Sequence, residues 1–302
     1  MSKRTLISGA SGFVGTHLAE TLSDRGDEVV FLSRSAKNTK KNVIHWNPAE
    51  GKIDLSESEN IDAVIHLAGE NIAGRWTEDK KARIKNSRVQ GTKLLSETLA
   101  GLNKKPRVLI SASAIGIYGD RGNEVLTETT TPGDGFLADV GVKWEGATKA
   151  ARDSGIRVCN IRIGLVLGSD GGALEKMLLP FKFGLGGNIG DGSQYWSWIA
   201  IDDLVRIIVY LLDNENIKGP VNAVSTKPVT NSEFTSVLGK VLNRPTIIAL
   251  PAFVARGLLG EMAQETMLAS TRVIPKKLLD SGFKFKYADL NDALSVILKM
   301  DT

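Results

Sequence analysis

The chain has 302 residues, enough for one large domain with a smaller one beside it. Hydrophobic residues make up 42% and charged residues 24%, which predicts a packed core and excludes wholesale disorder. With 38 basic and 34 acidic residues the net charge is +4, and the sequence lacks the aromatic-interleaved basic stripe of a nucleic-acid binder. We interpret the two short basic runs, 37–41 and 80–83, as solvated loop and helix surface, and we expect no nucleic-acid partner.

The few cysteines and histidines limit the chemistry. The single cysteine, Cys159, excludes an intrachain disulfide and lies in an apolar run that predicts a buried thiol. His17, His45 and His66 are far apart and lack metal-ligand spacing, so we expect no metal site. No apolar stretch reaches the about 18 residues that a membrane span needs, and the first strand begins too early for a signal peptide. These features predict a cytoplasmic protein with no membrane contact.

Short β-branched runs alternate with helical patterns through the first half of the chain. We predict strands at 5–8, 29–32, 43–46, 63–68, 107–111 and 158–166, and helices at 14–24, 77–100 and 138–153. Nearly continuous apolar strands joined by crossover helices are typical of a doubly wound parallel sheet with both faces covered. We therefore predict an α/β fold with a Rossmann-type sheet, whose strand carboxyl ends meet at the edge where ligands bind.

Residues 9–15 follow the first predicted strand directly and open the first predicted helix. Their Gly-x-x-Gly-x-x-Gly spacing resembles a dinucleotide loop, in which the glycines permit the tight turn, the approach of N–H groups to the pyrophosphate and close helix packing. Glycines also serve ordinary turns, but the position in the first strand–helix crossover favours a nucleotide loop. We predict cofactor contacts from Gly9, Ser11, Gly12, Phe13, Val14 and Gly15.

The end of the second predicted strand bears on the choice between NADP and NAD. A site that prefers NAD places Asp or Glu about 20 residues after the glycines, whereas Arg34 stands here with Ser33 beside it. A guanidinium can pair bidentately with a 2′-phosphate; the alternative is an exposed arginine on a loop. We predict NADP as the cofactor, with further contacts from Leu67, Ala68 and Gly69 at the end of another strand.

The second half is less regular and contains glycine-dense loops at 171–172 and 184–192. Helical patterns return at 202–212, 231–242, 251–268 and 291–299. We predict an NADP-binding Rossmann domain at 1–168, with returning segments at about 195–225, and a smaller, mostly helical substrate and cap region at 169–302. The C-terminal appendix from about 245 could equally cover the cleft or mediate assembly, so a homo-oligomer stays open.

Four further segments resemble conserved stretches of one superfamily. Residues 111–119 resemble its Ser-Ser-Ala-x-x-Tyr-Gly segment and 162–168 its Arg-x-x-x-Val-x-Gly strand, while 198–204 and 219–222 match two later segments. On these residues the chain resembles the extended short-chain dehydrogenase/reductases, the superfamily of sugar-nucleotide epimerases and dehydratases. It is similar in particular to the atypical "epimerase family protein" branch, through motifs at 68–70, 87–88, 144–145, 170–172, 274–278 and 282–285.

The resemblance implies a Tyr-x-x-x-Lys pair on the helix after the fifth strand, in which the lysine lowers the pKa of the tyrosine phenol. Here the two positions fall near Leu137 and Gly141, neither of which can move a proton. A shift of two residues gives Asp139 and Lys143, which we interpret as a surface ion pair rather than a catalytic dyad. The usual proton relay is therefore absent or rebuilt.

The catalytic candidates that remain are Ser113, Tyr118 and Lys143. The resemblance matches Ser113 to the serine that binds the substrate carbonyl or hydroxyl, and the alternative is a strand-end cap. Tyr118 could supply a phenol from another site, although packing within a Tyr-Gly turn is favoured.

We expect a small-molecule substrate near Glu70, Asn71, Tyr195 and Trp196, although aromatic residues are equally common as packing between domains. The leading hypothesis is an NADP-dependent oxidoreductase that acts on a small substrate without the usual pair. A non-catalytic NADPH-binding regulator or partner-binding protein is the alternative. A nucleotide-sugar epimerase is the weaker alternative, because epimerisation also relies on the absent phenolate.

Overall fold

The computed structural model describes residues 3–34, 42–55 and 60–299. The strands in this part of the chain are β1 (Arg4–Ser8), β2 (Glu28–Ser33), β3 (Val43–Asn47), β4 (Lys52–Ile53), β5 (Ala63–His66), β6 (Val108–Ala114), β7 (Val125–Leu126), β8 (Arg157–Ile163), β9 (Leu165–Leu167), β10 (Tyr195–Trp196), β11 (Trp198–Ala200), β12 (Gly219–Ala223), β13 (Val229–Thr230) and β14 (Arg272–Val273). The helices are α1 (Phe13–Asp24), α2 (Glu78–Gly101), α3 (Phe136–Gly146), α4 (Lys149–Asp153), α5 (Gly172–Lys182), α6 (Ile201–Asp213), α7 (Asn231–Leu242), α8 (Ala252–Leu259), α9 (Lys276–Asp280) and α10 (Leu290–Lys299).

The main sheet has the order β12-β8-β6-β5-β1-β2-β3-β4, and only β4 runs antiparallel to its neighbour. The central strand β1 has β2 on one side and β5 on the other, so the strand order reverses there. In an open α/β sheet this reversal opens a crevice at the carboxyl ends of the strands. The doubly wound sheet predicted from the sequence is confirmed, and the crevice lies directly above residues 9–15.

Both faces of this sheet are buried, which explains why its strands read as nearly continuous apolar runs. Ile7 packs with α1 and α6 on one face, and its neighbour Leu6 packs with α2 on the other. Their pairing partners on β5 follow the same pattern: Ile65 is buried on the same face as Ile7, and Val64 is buried on the same face as Leu6. The thiol of Cys159 is buried in the first of these two cores, as predicted.

Three predicted elements are interrupted, and glycine explains two of the breaks. The strand predicted at 158–166 divides into β8 and β9 at Gly164, where a Cβ would lie 2.7 Å from Val224 Cγ1 as the chain leaves the sheet. The helix predicted at 251–268 is interrupted at Gly260, whose φ of +63° is left-handed, and a short π-helix follows at Ala263–Met267. The helix predicted at 138–153 is two helices, α3 and α4.

A second core lies beside the sheet and is mostly helical. Trp198 of β11 is fully buried there against side chains of three helices, α5, α7 and α10. The segment after β11 returns to the sheet, where β12 is the edge strand beside β8. The division of the chain at residue 168 stays a prediction. In the described ranges, no helix is both long and apolar enough to cross a bilayer.

Candidate cofactor and active site

The loop between β1 and α1 is held tightly by its glycines. Gly9 has a φ of +75°, and a Cβ there would lie 2.8 Å from the backbone nitrogen of Ala68 at the end of β5. A Cβ on Gly15 would lie 2.7 Å from Cα of Ala10, so the first turn of α1 packs directly on the loop. The loop can therefore turn at this radius only with glycine at both positions.

The N-terminus of α1 is open to an anion. Gly12 is the N-cap residue and offers no side chain to the first N–H groups of the helix, and the first turn contains no acidic residue. Ser11 and Gly12 are exposed at the carboxyl edge of the sheet. Free N–H groups and the helix dipole together favour a phosphate at this position, so the residues present fit the pyrophosphate of a dinucleotide.

A second glycine turn surrounds Phe13, the first residue of α1. Cβ atoms on Gly171 and Gly172 would lie 2.6 Å and 3.1 Å from its ring. His17 Nε2, one turn later in α1, is 3.0 Å from Oδ2 of Asp170 in the same turn. The Asp-Gly-Gly turn therefore fixes the first turn of α1, a role that the sequence analysis did not assign to it.

Four charged side chains lie at the carboxyl ends of β2 and β5. Arg34 is exposed just after β2, and Glu70 follows β5 with its Oε1 2.7 Å from Lys80 Nζ and 3.7 Å from Arg83 Nε. Hydrogen bonding from Lys80 is the main cause that lowers the pKa of Glu70, and the charges of Arg83 and Arg34 also lower it. The interpretation of run 80–83 as solvated helix surface is therefore wrong for Lys80. The other run, 37–41, lies outside the described residues.

Ser113 is buried at the end of β6, and its hydroxyl is engaged inside the protein. Its Oγ donates to Glu145 Oε1 at 2.8 Å. Arg162 forms a bidentate pair with the same carboxylate, in which Nε donates to Oε1 at 2.7 Å and Nη2 donates to Oε2 at 2.9 Å. The next residue along the strand, Ala114, is exposed but has no hydroxyl.

Tyr118 is fully buried and belongs to the same network. Arg162 Nη1 donates to its hydroxyl at 2.8 Å, and the hydroxyl lies 2.7 Å from Asn222 Oδ1 and 2.9 Å from the carbonyl oxygen of Thr127. Burial raises the pKa of this phenol, more than Arg162 lowers it. The hydroxyl therefore stays protonated and enclosed, which supports the packing role over the catalytic one.

The positions of the missing Tyr-x-x-x-Lys pair are filled by packing. A Cβ on Gly116 would lie 3.2 Å from Cβ of Leu137, and a Cβ on Gly141 would lie 2.9 Å from Cβ of Ile117. A lysine at 141 would therefore force backbone movement. Lys143 lies on the exposed side of α3, paired with Asp139, and it does not join the Ser113 network.

Another buried polar chain runs beneath the cleft. His66 lies between Ser8 Oγ at 2.6 Å and Thr92 Oγ1 at 3.0 Å, and Trp144 Nε1 also donates to Thr92. Burial lowers the pKa of His66 to about 4, so the ring is neutral in the folded protein. Nearby, Arg88 donates to the carbonyl oxygen of Glu70 at 2.9 Å, and burial lowers its pKa to about 10.

The C-terminal appendix contacts elements beside the cleft. Glu265 accepts hydrogen bonds from the backbone N–H groups of Phe136 and Leu137, both at 2.7 Å, and so caps α3 from outside the Rossmann domain. Lys81 of α2 pairs with Glu261 at 2.8 Å. Arg75, in the loop after β5, donates to the carbonyl oxygen of Gly257. The appendix therefore contacts the first turns of α2 and α3 and the loop after β5, and its role stays a prediction.

Two of the predicted substrate residues are engaged in packing inside the protein. Trp196 is buried, donates from Nε1 to the carbonyl oxygen of Met267 and packs on Phe234, and Tyr195 is half-buried beneath the guanidinium of Arg272. An open cleft of about 710 Å³ lies near the appendix, lined in part by Asp120, Gln194, Arg256 and Ser270. None of Glu70, Asn71, Tyr195 and Trp196 lines it.

No group of three His, Cys, Asp or Glu side chains converges on a metal-sized site within residues 3–34, 42–55 and 60–299.

The open phosphate loop, the glycine-lined crevice and the strand order together define a dinucleotide-binding protein of the short-chain dehydrogenase/reductase type.

Comparison with known proteins agrees with this class. Residues 5–223 match the NAD dependent epimerase/dehydratase family, and residues 250–297 match a domain of unknown function, DUF1731. The chain therefore belongs to the NAD-dependent epimerase/dehydratase family, with DUF1731 as a C-terminal addition, and the resemblance seen in the sequence is confirmed. Members of this family bind NAD(P).

Two named relatives align over nearly their whole length. Epimerase family protein ML0860 of Mycobacterium leprae is 39% identical over 292 residues, 96% of this chain and 94% of that protein. Epimerase family protein YfhF of Bacillus subtilis is 38% identical, over 97% of both chains.

Solved structures show the same fold. Human epimerase family protein SDR39U1 (isoform2) with NADPH superposes with a TM-score of 0.89 at 33% identity, over 98% of this chain and 99% of that one. A nucleoside-diphosphate sugar epimerase from Corynebacterium glutamicum has a TM-score of 0.82 at 36% identity, over 99% of this chain and 58% of the other.

Proposed function

We propose that this protein is an NADP(H)-dependent oxidoreductase that transfers hydride between the cofactor and a small substrate. The observation that carries the proposal is the uncapped N-terminus of α1 behind the glycine loop, with Arg34 one strand away at the same edge. The human relative with NADPH, at 33% identity, supports the choice of the phosphorylated cofactor.

Each part of the cleft has a defined task in this proposal. The N–H groups at the start of α1 bind the pyrophosphate, and Arg34 binds the 2′-phosphate. The nicotinamide ring, when bound, supplies or accepts the hydride. Gly69 lies exposed beside the guanidinium of Arg88, where a side chain would narrow the cleft.

The proton that accompanies hydride transfer needs another source than in the wider superfamily. The hydroxyls of Ser113 and Tyr118 are engaged with Glu145 and Asn222, and Leu137 carries no acidic proton. We therefore propose substrates whose oxygen atom exchanges its proton with water at the open side of the cleft, near the exposed Ala114.

The closed network around Ser113 favours one second candidate, a regulator that binds NADP(H) without turning it over. Arg162 and Glu145 pair with each other, and the hydroxyl of Ser113 donates to Glu145 rather than toward the cleft. A nucleotide-sugar epimerase is less well supported, because Leu137 replaces the phenolate on which that chemistry relies.

Turnover separates the two candidates. NADPH absorbance is followed with purified protein and a panel of aldehydes, ketones, quinones and nucleotide sugars. Gly12→Asp serves as the blank, because its carboxylate would occupy the N-terminus of α1. We expect oxidation of NADPH with at least one class of carbonyl and none in the blank. Tight NADPH binding without turnover across the panel would instead support the regulator.

A further inference from the structure

A cluster of charged side chains lies after β5, beside the cofactor crevice. Glu70 Oε1 is 2.7 Å from Lys80 Nζ and 3.7 Å from Arg83 Nε, both on the first turns of α2. The charge of Arg34, which follows β2, also acts on this carboxylate. Two cations of α2 thus lie beside one oxyanion at the edge of the cofactor crevice, and Arg34 is near enough for its charge to act on it.

We propose that Lys80 and Arg83 form the 2′-phosphate site together with Arg34, and that the carboxylate of Glu70 holds this site in the free protein. The inference rests on the proposed function, because it names further residues that select NADP(H) over NAD(H). Carboxylate and phosphate are both oxyanions that lysine and arginine bind through charge-assisted hydrogen bonds, so one can replace the other between the same cations.

The two basic residues are suited to change partner for different reasons. Arg83 is more than half exposed and only loosely paired with Glu70, so its guanidinium can turn toward a phosphate without burial of a new charge. Lys80 is largely covered and makes the tight contact, and its ammonium has three donors, enough for both oxyanions at once.

The charge of the site favours a phosphate over a neutral ribose. Three cations and one carboxylate leave a net charge of about +2, which matches the charge of a phosphomonoester. If Glu70 instead accepted hydrogen bonds from the ribose hydroxyls of NAD, as an acidic residue does in NAD-specific sites, its removal would weaken NADH binding. The two roles of Glu70 therefore predict opposite effects of its removal.

Calorimetric titrations with 2′,5′-ADP and 5′-AMP, which differ only in the 2′-phosphate, isolate the contribution of that phosphate without the nicotinamide half. We expect Arg83→Gln and Lys80→Gln to weaken 2′,5′-ADP binding by about tenfold each and to leave 5′-AMP binding within about twofold. Glu70→Gln should tighten 2′,5′-ADP and NADPH by about threefold to tenfold, because a competing carboxylate is removed. Lys93→Gln, which removes an exposed lysine from the same helix far from Glu70, is the matched control and should change neither affinity.

Other outcomes overturn the inference without reference to turnover. In one such outcome, the wild-type protein prefers 2′,5′-ADP, and Arg83→Gln and Lys80→Gln bind it with unchanged affinity. This result would leave the proposed function intact but would remove these two residues from the 2′-phosphate site. Weaker NADH binding in Glu70→Gln, with NADPH binding unchanged, would assign Glu70 to the ribose hydroxyls instead. Wild-type protein that binds neither NADPH nor 2′,5′-ADP would contradict the proposed function itself. Thermal melts of each variant establish that the fold is kept.

Discussion

At the phosphate end of the cleft, the N–H groups of α1 have no side-chain cap, whereas at the β6 end the hydroxyls of Ser113 and Tyr118 are bonded inside the protein. The first arrangement leaves polar groups for a ligand to satisfy, and the second satisfies them in advance. A buried polar group without a partner is costly, so a network that is complete without a ligand serves stability first. The difference teaches that two motifs of one superfamily can differ in whether their polar groups are left for a ligand or are paired within the protein.

The phosphate end gives the largest expected effect. Gly12→Asp places a carboxylate at the N-terminus of α1, where it competes with the pyrophosphate for the same N–H groups. NADPH affinity should fall by about 100-fold or more. Stability should stay within about 1 kcal/mol, since aspartate is a good N-cap residue. Calorimetry and urea unfolding measure the two quantities, and a large loss of stability with unchanged affinity would reverse the roles assigned to this end.

The β6 end should show the opposite behaviour. Glu145→Ala leaves Arg162 buried without its carboxylate, and the loss of one partner of a buried pair costs about 3–5 kcal/mol. We expect that loss in urea unfolding, together with an NADPH affinity within about threefold of wild type in the folded fraction. A variant with normal stability and no NADPH binding would place this network in the cofactor site.

Between the two ends, His66 makes stability depend on pH. Its pKa of about 4 in the folded protein lies below the ordinary value of about 6.5, so the unfolded chain binds a proton that the folded one does not. The neutral, buried ring therefore leaves the free energy of unfolding unchanged above pH 6.5. As the pH falls from 6.5 toward 4, the free energy of unfolding decreases by a total of about 3 kcal/mol. His66→Gln should flatten this part of the urea-derived stability profile, and an unchanged slope would show that His66 is protonated in the fold.

Lys143 should have no measurable effect. It is exposed and paired with Asp139 on the outer side of α3, and exposed pairs contribute little. Lys143→Met should leave the melting temperature, the NADPH affinity and any turnover as in wild type. A selective loss of turnover would return this residue to the catalytic candidates.

The sequence predicted the sheet well because burial on both faces leaves a local record, as in β1 and β5, where Leu6 and Ile7 pair with Val64 and Ile65 and are buried on alternate faces. The glycine loop was also predictable, since its glycine spacing is local and Gly15 is required by a close approach to Ala10, whereas the approach of Gly9 to Ala68 is long-range. The contacts at the β6 end of the cleft, by contrast, join residues that are far apart in the sequence. Glu265 reaches α3 across 129 positions of sequence, and no local pattern indicates such a partner.

The pairing of Lys80 with Glu70 was missed for a related reason. A basic run on a helix is most often solvated, and only the return of the loop after β5 brings the carboxylate to it. The break at Gly260 was open to prediction, because glycine commonly ends a helix in the left-handed conformation.

The most direct test of the central claim is a calorimetric titration of the wild-type protein with NADPH and with NADH. An open helix N-terminus beside a cluster of cations predicts saturable binding of both, with NADPH tighter by about tenfold or more. The absence of heat with both nucleotides would contradict the assignment of the glycine loop. Equal affinities would contradict the assignment of Arg34 to the 2′-phosphate.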